Sequence, residues 1–503
     1  MPVAGPSPPQ FAKINRPRRS LRPLLGLGCA LLCGLLLRLW FITHWAHIAG
    51  DSLIYGDIAK SWLEHGIYGF TQATPADPTL MPELTLIRLP GFPAFLALCF
   101  AVFGMEHYTA VLYVQAGLDL LTCLVVALLS GRLFGRRAFW VVLWLGVLCP
   151  FTANYAAAPL AETLTLACIA VAYYALYRWQ MERKAGPYNR WFYLLAATLS
   201  YAILLRPEQG LLAATVLPAM LWGKAGSAST EWWRRVRTSL TPVVLCGVLV
   251  LLSLVPWAVR NWRTFHVFQP LAPRYATDPG EAVPLGFQRW YRTWAIDFAS
   301  TEDVYWNYDG DRIEISDLPT RAFDSDAQYD ATDALLNDYN ETAKANAALD
   351  ASFDVLATER IAANPVRYYL ALPVARVLNM ALRPRTEMLP VPLEWWKFHE
   401  HPGKTVFAAC YALLNLAYFV VAGVGLWRWR RMRNSGSGSG LDSDAAWNGQ
   451  GVLAWSMMAS VTLRGVLLLT LDNSEPRYTL EFYPVFLVAI GALAARRGVD
   501  RNI

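Results

Sequence analysis

Residues 50–69, GDSLIYGDIAKSWLEHGIYG, and residues 88–95, RLPGFPAF, decide how the rest of the chain is read. The first piece follows an apolar run, Leu21–Thr43, that is long enough to cross a bilayer and has no small-residue cleavage site. Asp51, Tyr55 and Asp57 therefore fall just past a membrane-length segment, and Arg88 stands at the mouth of the next apolar stretch. Charged groups at a membrane boundary cost desolvation free energy, so a set of them calls for a reason. Ile54, Ile58, Trp62 and Leu63 recur at helical spacing, which predicts an amphipathic helix over 52–65 lying along the membrane surface.

Outward from that stretch, composition points to an all-α polytopic membrane protein. Of 503 residues, 55% are hydrophobic and 16% charged, against about 25% charged in soluble domains. All eight cysteines lie in apolar segments, which predicts neither a disulfide framework nor a zinc site. The net charge of +6 is unevenly spread, and no nucleic-acid partner is expected. Basic clusters set the phase of the spans. The cluster Arg132, Arg136, Arg137 is held inside if 89–104 is a surface or re-entrant helix and 109–130 runs inward. About ten transmembrane helices then follow, near 21–43, 109–130, 138–156, 160–178, 191–205, 208–223, 239–258, 404–427, 451–471 and 479–495. A basic leader (1–20) precedes a core (21–260) whose first outer loop is 44–104. An external region (261–402), with a surface helix at 366–382, leads to C-terminal helices (403–498) that carry a cytoplasmic Gly/Ser linker at 434–450. The insertion 276–362 holds 18 Asp or Glu against 6 Lys or Arg, which fits an external location.

This topology gathers Asp51, Tyr55, Asp57, Arg88, Glu162, Arg206, Glu208, Glu475, Arg477 and Tyr478 on the outer face. Such a set suits group transfer from a phosphorylated lipid. A carboxylate takes the proton of an acceptor hydroxyl, and arginines neutralise the departing phosphate. Taken singly, most of these residues read as polar groups of outer turns; Asp51 and Arg88 stand apart because they border surface segments. Arg88 and Arg477, with Arg206 behind them, are the candidates for the phosphate. Within the bilayer, Arg38, Asp119 and Arg464 need partners, and for Arg38 the simplest expectation is snorkelling to the outer surface. His44 and His47 read as interfacial anchors, and His399-Glu400-His401 lacks the spacing that places two imidazoles on one helical face. Trp290, Trp294, Trp306, Trp395 and Trp396 are possible platforms for stacking a sugar.

The order G-D-x-x-x-Y (Gly50, Asp51, Tyr55), R-L-P-G-F-P (Arg88–Pro93), A-P-L-A-E (Ala158–Glu162), R-P-E (Arg206–Glu208) and E-P-R-Y (Glu475–Tyr478) resembles the GT-C superfamily of membrane glycosyltransferases. It is similar to bacterial relatives of the dolichyl-phosphate-mannose–protein mannosyltransferases and of the aminoarabinose lipid A transferase. The resemblance covers residues 22–260 and the Glu475–Tyr478 turn; the insertion matches nothing. It implies a polyprenyl-phosphate sugar donor and a lipid, glycan or protein acceptor. It also implies a site on the external or periplasmic face of the plasma (inner) membrane, with an acidic residue of the first outer loop as base and another in the second. These map onto Asp51 and Glu162, and the departures Asp51-Ser52 and Glu162 leave a divalent cation open. The alternative is a flippase for lipid-linked sugars, which would place charges near the midplane on broken helices; here they collect at one face.

Overall fold

The computed structural model describes residues 22–72, 80–182, 186–222, 232–435 and 441–495. The leader 1–20 and most of the SGSGSG tract lie outside the described residues. Among the described residues, six helical stretches are long and apolar enough to cross a membrane: Pro23–Trp45, Tyr108–Phe134, Leu240–Phe265, Pro402–Met432, Gln450–Leu468 and Pro476–Ala494. They match six of the ten spans expected from sequence. The other four regions are helical but do not meet that length and composition. The run 138–156 breaks at Leu148-Cys149-Pro150, because proline cannot continue the helix ahead of it. It forms α5 (Arg136–Val147) and α6 (Pro150–Tyr155). The run 160–178 becomes α7 (Glu162–Glu182), a helix buried along most of its length that keeps polar residues such as Gln180. The runs 191–205 and 208–223 become the short α8 (Arg190–Leu205) and α9 (Gly210–Trp222), separated by a 3-10 turn at Pro207–Gln209.

The other bundle helices are α1 (Arg22–Trp45), α4 (Tyr108–Phe134), α10 (Trp232–Leu252) and α11 (Val255–Phe265). One large apolar core joins α4, α5, α7, α8 and α9 to the C-terminal helices. The expected amphipathic helix is α2 (Asp51–His65), entered through Gly50 at φ 53° and closed by the left-handed Gly66. The expected short helix is α3 (Gly91–Phe103), and Ile58 and Ala59 of α2 are buried. Between α2 and α3, β1 (Gly69–Phe70) pairs antiparallel with β2 (Glu83–Leu84), a hairpin too short for sequence pattern to reveal. Arg260 of α11 ties it down by donating to the carbonyls of Tyr68 and Thr85, each at 2.7 Å.

The insertion folds around its own aromatic core. It contains α12 (Leu285–Arg292), α13 (Phe298–Ser300), α14 (Asp326–Asn340) and α15 (Ala347–Ala363). Phe287 stacks on Tyr308 with centroids 3.6 Å apart, and Phe353 packs edge-on. Trp290 and Trp294 are buried in this core, so they cannot stack a sugar; tryptophan buries the most apolar area and here builds the subdomain instead. The region 366–382, expected as a surface helix, forms a π turn at Arg367–Ala371 running into α16 (Leu372–Leu382). The chain then forms α17 (Pro402–Ser435), α18 (Leu441–Leu468), a 3-10 stretch at Pro476–Phe482, and α19 (Tyr483–Gly491). Arg38 does not snorkel. It is fully buried and donates to Asp119 Oδ2 at 2.9 and 2.5 Å and to the Gly34 and Val147 carbonyls, because a partner within reach inside the bundle beats a climb to the surface.

Candidate functional site

The structure brings Asp51, Arg88, Glu162, Arg206, Glu208, Glu475, Arg477 and Tyr478 into one connected cluster. Asp51, at the first turn of α2, lies between two guanidinium groups. Its Oδ1 accepts from Arg88 at 2.8 Å and its Oδ2 from Arg477 at 2.7 Å. Each carboxylate oxygen thus has its own cation. This pair of contacts outweighs burial and holds Asp51 far below the usual carboxylate range. Arg88 comes from the turn before α3, where Tyr68 donates its hydroxyl to the Arg88 carbonyl at 3.0 Å and so fixes the backbone. Tyr55, one turn along α2, lies under the Arg88 guanidinium at 5.6 Å from its ring centroid, and burial pushes its hydroxyl up to about 12.

Arg477 continues the chain of charges. Its Nε contacts Glu475 and lies 3.7 Å from Glu162 Oε1. Glu162 opens α7, accepts from Arg206 at 2.8 Å, and is 3% exposed. Arg206 also pairs with Glu208 at 2.8 Å, and its guanidinium lies 5.5 Å from the centre of the Tyr478 ring. Beyond it, Arg464 bridges Glu208 at 3.3 Å and Glu481 at 3.0 Å, which supplies the partners expected for that residue. Glu475 behaves unlike Asp51. Burial dominates, Arg477 opposes it and Asp51 adds repulsion, so its carboxyl is pushed up to about 7.

Asp57 does not join this network; its Oδ2 accepts the Thr71 backbone N–H at 2.9 Å and so ties α2 to the strand that follows. Residues absent from the expected set hold the site together. Arg385 is buried and donates to the Pro476 carbonyl at 2.8 Å and to Thr479 Oγ1, fixing the turn that carries Arg477. Asp472 pairs with Arg292 of the insertion at 3.3 Å, and Ser474 N donates to Thr301 at 3.1 Å. The insertion therefore docks onto the segment that delivers Glu475 and Arg477. Glu387, in the R-P-R-T-E stretch after α16, accepts from Tyr155 at 2.5 Å. Its only sequence signal is the pair of arginines just before it, Arg383 and Arg385. Among the described residues, no group of three or more His, Cys, Asp or Glu side chains is placed to hold a metal ion.

Residues 88–259, or 172 of the 503, match the family model of the dolichyl-phosphate-mannose-protein mannosyltransferases. No curated protein matches the chain. Among solved structures, the oligosaccharyltransferase of Archaeoglobus fulgidus, tethered with an acceptor peptide containing the NVT sequon, has 14% identity and a TM-score of 0.48 over 95% of this chain and 49% of its own. ArnT from Cupriavidus metallidurans bound to undecaprenyl phosphate has 16% identity and a TM-score of 0.36 over 91% of this chain and 84% of its own. The chain thus spans about half the length of the archaeal protein it matches. Likeness at this level says nothing about chemistry.

Proposed function

We propose that this chain is a membrane glycosyltransferase of the GT-C superfamily, moving a sugar from a polyprenyl-phosphate donor to an acceptor hydroxyl on the non-cytoplasmic face. The observation that carries the reading is the Arg88–Asp51–Arg477 bridge, an anion held between two arginines at the start of α2. The family match over 88–259 supports it, since that segment contains Arg88, Glu162 and Arg206. A donor phosphate has the charge and the oxygens to replace the Asp51 carboxylate between Arg88 and Arg477, because a forked guanidinium suits phosphate better than an ammonium does. Asp51 then loses the cations that suppress its basicity, at the moment a base is needed.

In the transfer step the acceptor oxygen attacks the anomeric carbon and the bond from that carbon to the phosphate oxygen breaks. Asp51 receives the hydroxyl proton, and the polyprenyl phosphate leaves as an anion held by Arg88 and Arg477. The leaving group needs positive charge rather than a proton, so one base suffices. Glu162, held by Arg206, is the second acidic group and orients the acceptor or the sugar.

The test is to incubate purified protein with labelled polyprenyl-phosphate sugars and follow release of polyprenyl phosphate. Asp51→Asn is expected to keep donor binding and to lose about 10²–10⁴ in transfer, the usual cost of a missing general base. Arg88→Lys is expected to transfer more slowly than wild type although charge is conserved. Near-normal transfer by Asp51→Asn with an inactive Glu162→Gln reverses the two roles. Movement of the lipid-linked sugar across vesicles without any release supports the flippase instead.

A further inference from the structure

The last carbonyls of a helix have no partner within it and need one from elsewhere. At the end of α16 they are met by side chains from two membrane-length stretches. Asn415 Nδ2 of α17 donates to the Ala381 carbonyl at 2.7 Å and to the Arg383 carbonyl at 3.3 Å. Thr479 Oγ1, in the Pro476–Ala494 stretch, lies 3.2 Å from the Met380 carbonyl. Asn415 is itself fully buried and accepts the Tyr483 hydroxyl at 2.7 Å. Just past the helix, residues 383–386 are buried although they form no regular structure.

The sequence of α17 fixes how deep that point lies. Residues 405–427 contain no charge, and Lys404 and Arg428 bound the interval. At about 1.5 Å of rise per residue, Asn415 stands about 16 Å along the helix from Lys404 and about 20 Å from Arg428. The last stretch agrees, because Arg428 donates to the Ala495 carbonyl at 2.9 Å. Residues 415–428 and 483–495 thus run side by side between two hydrogen bonds. A hydrocarbon layer is about 30 Å thick, which puts the end of α16 roughly 10 Å or more from either edge. The opposite end of the same helical region is polar. There Arg367 donates to both oxygens of Asp324, at 2.7 and 2.6 Å. The outward face fits this depth. Val366, Leu370, Val374, Leu378 and Leu382 recur every four residues and are between 40% and 65% exposed. No exposed side chain between positions 366 and 382 is charged, whereas α14 exposes Asp326, Asp330, Asn337 and Asp338. Arg376, the only charged residue of α16, is buried and donates to the Arg292 and Ala295 carbonyls.

We propose that residues 366–389 form a re-entrant segment whose apolar stripe is a lipid-binding surface. The helix descends from the insertion into the leaflet on that side, the stripe meets lipid acyl chains, and the chain returns through the protein interior. Irregular backbone at such depth is tolerated only where protein surrounds it, which is the condition of residues 383–386. Lipid is the partner because the surface continues that of the spans. The inward face packs Met380 against Leu468 and Phe482, and α17 beside it exposes Leu413, Leu416 and Val420. The return brings Arg385 to the Pro476 carbonyl, so the segment held by lipid is also the footing of the turn that carries Arg477.

The experiment uses the full chain in phosphatidylcholine nanodiscs, with Cys29, Cys33 and Cys410 replaced by serine. Spin labels are attached singly at Leu370→Cys, Leu378→Cys and Asp330→Cys. Each label's collision rates are then measured with molecular oxygen, which enters hydrocarbon, and with a water-soluble nickel chelate, which does not. The ratio of oxygen to chelate collisions is expected to be about tenfold higher at Leu378 than at Asp330, because a polar solute is excluded from an apolar layer. Leu370 is expected to give a value between the two. Val374→Cys takes the place of either stripe position if that variant does not fold. A ratio at Leu378 equal to that at Asp330 means that water covers the stripe and overturns the proposal. Labels at Leu370 and Leu378 that neither probe reaches mean that protein covers it, a second copy of this chain included, and overturn it equally.

Discussion

At the scale of single residues, the two carboxyl groups that share Arg477 titrate in opposite directions, and this has a consequence for stability. Asp51 is lowered from 3.8 by Arg477 and Arg88, so its contribution is present above that value and is lost only in strong acid. Glu475 is raised from 4.5 to about 7 by burial, so between those values the folded chain holds a proton that the unfolded chain has released. Its contribution is complete below the lower value and disappears as pH rises through the upper one. Melting temperatures in detergent are therefore expected to fall from about pH 5 to 8 in wild type, and the fall is expected to flatten in Glu475→Gln. An equally steep fall in the variant assigns the dependence to another group. Arg38 and Asp119 offer a second residue-scale test. Asp119→Leu alone strands a buried guanidinium and is expected to cost about 3–5 kcal/mol, whereas Arg38→Met with Asp119→Leu is expected to recover most of it, as read from unfolding midpoints.

At the scale of elements, the RLPG stretch works through close packing as much as through charge. A Cβ on Gly91 would lie 2.5 Å from the carbonyl carbon and oxygen of Leu204, so the start of α3 presses directly on the end of α8. Tyr201 adds a hydrogen bond to the Gly91 carbonyl at 3.2 Å. Gly91→Ala is expected to cost about 1–3 kcal/mol through overpacking and to raise the KM for donor, because Arg88 is carried by the same turn; a KM and a melting temperature both unchanged would show that α3 can slide without disturbing the site. Much at this scale was legible beforehand. The α2 helix was readable from its apolar period, α3 from its shortness, and the long spans from hydropathy, all of which are local sums over neighbouring residues. The breaks were harder. Pro150 sits in the middle of an apolar run, and hydropathy does not register that a helix must restart there. Glu387 could not be found at all, because its importance comes from Tyr155, on an element 232 residues away.

At the scale of the whole molecule, the expectation that charges from separate turns converge was legible as a set, while the pairing was not. Nothing in E-P-R-Y says that Arg477 belongs to Asp51, and Asp57 offered the same chemistry two turns from where it was needed. The topology itself is open to direct test. With Cys29 and Cys410 replaced, a cysteine at the exposed Ser316 of the insertion is expected to react with an impermeant thiol reagent in intact cells. A cysteine at the exposed Arg137 is expected to react only after permeabilisation. Equal labelling in intact cells sinks the arrangement. The long reach of the Asp51–Arg477 bridge also bears on how the protein is made. The two residues are 426 positions apart, so a ribosome exports Asp51 and Arg88 long before Arg477 exists. Arg206 and Glu162 can meet early, but Asp51 has only Arg88 until the turn carrying Arg477 is made. Chains stopped before Glu475 are therefore born with the cluster unfinished, and the membrane quality-control machinery has a reason to recognise them: buried polar groups that only Glu475 and Arg477 can satisfy.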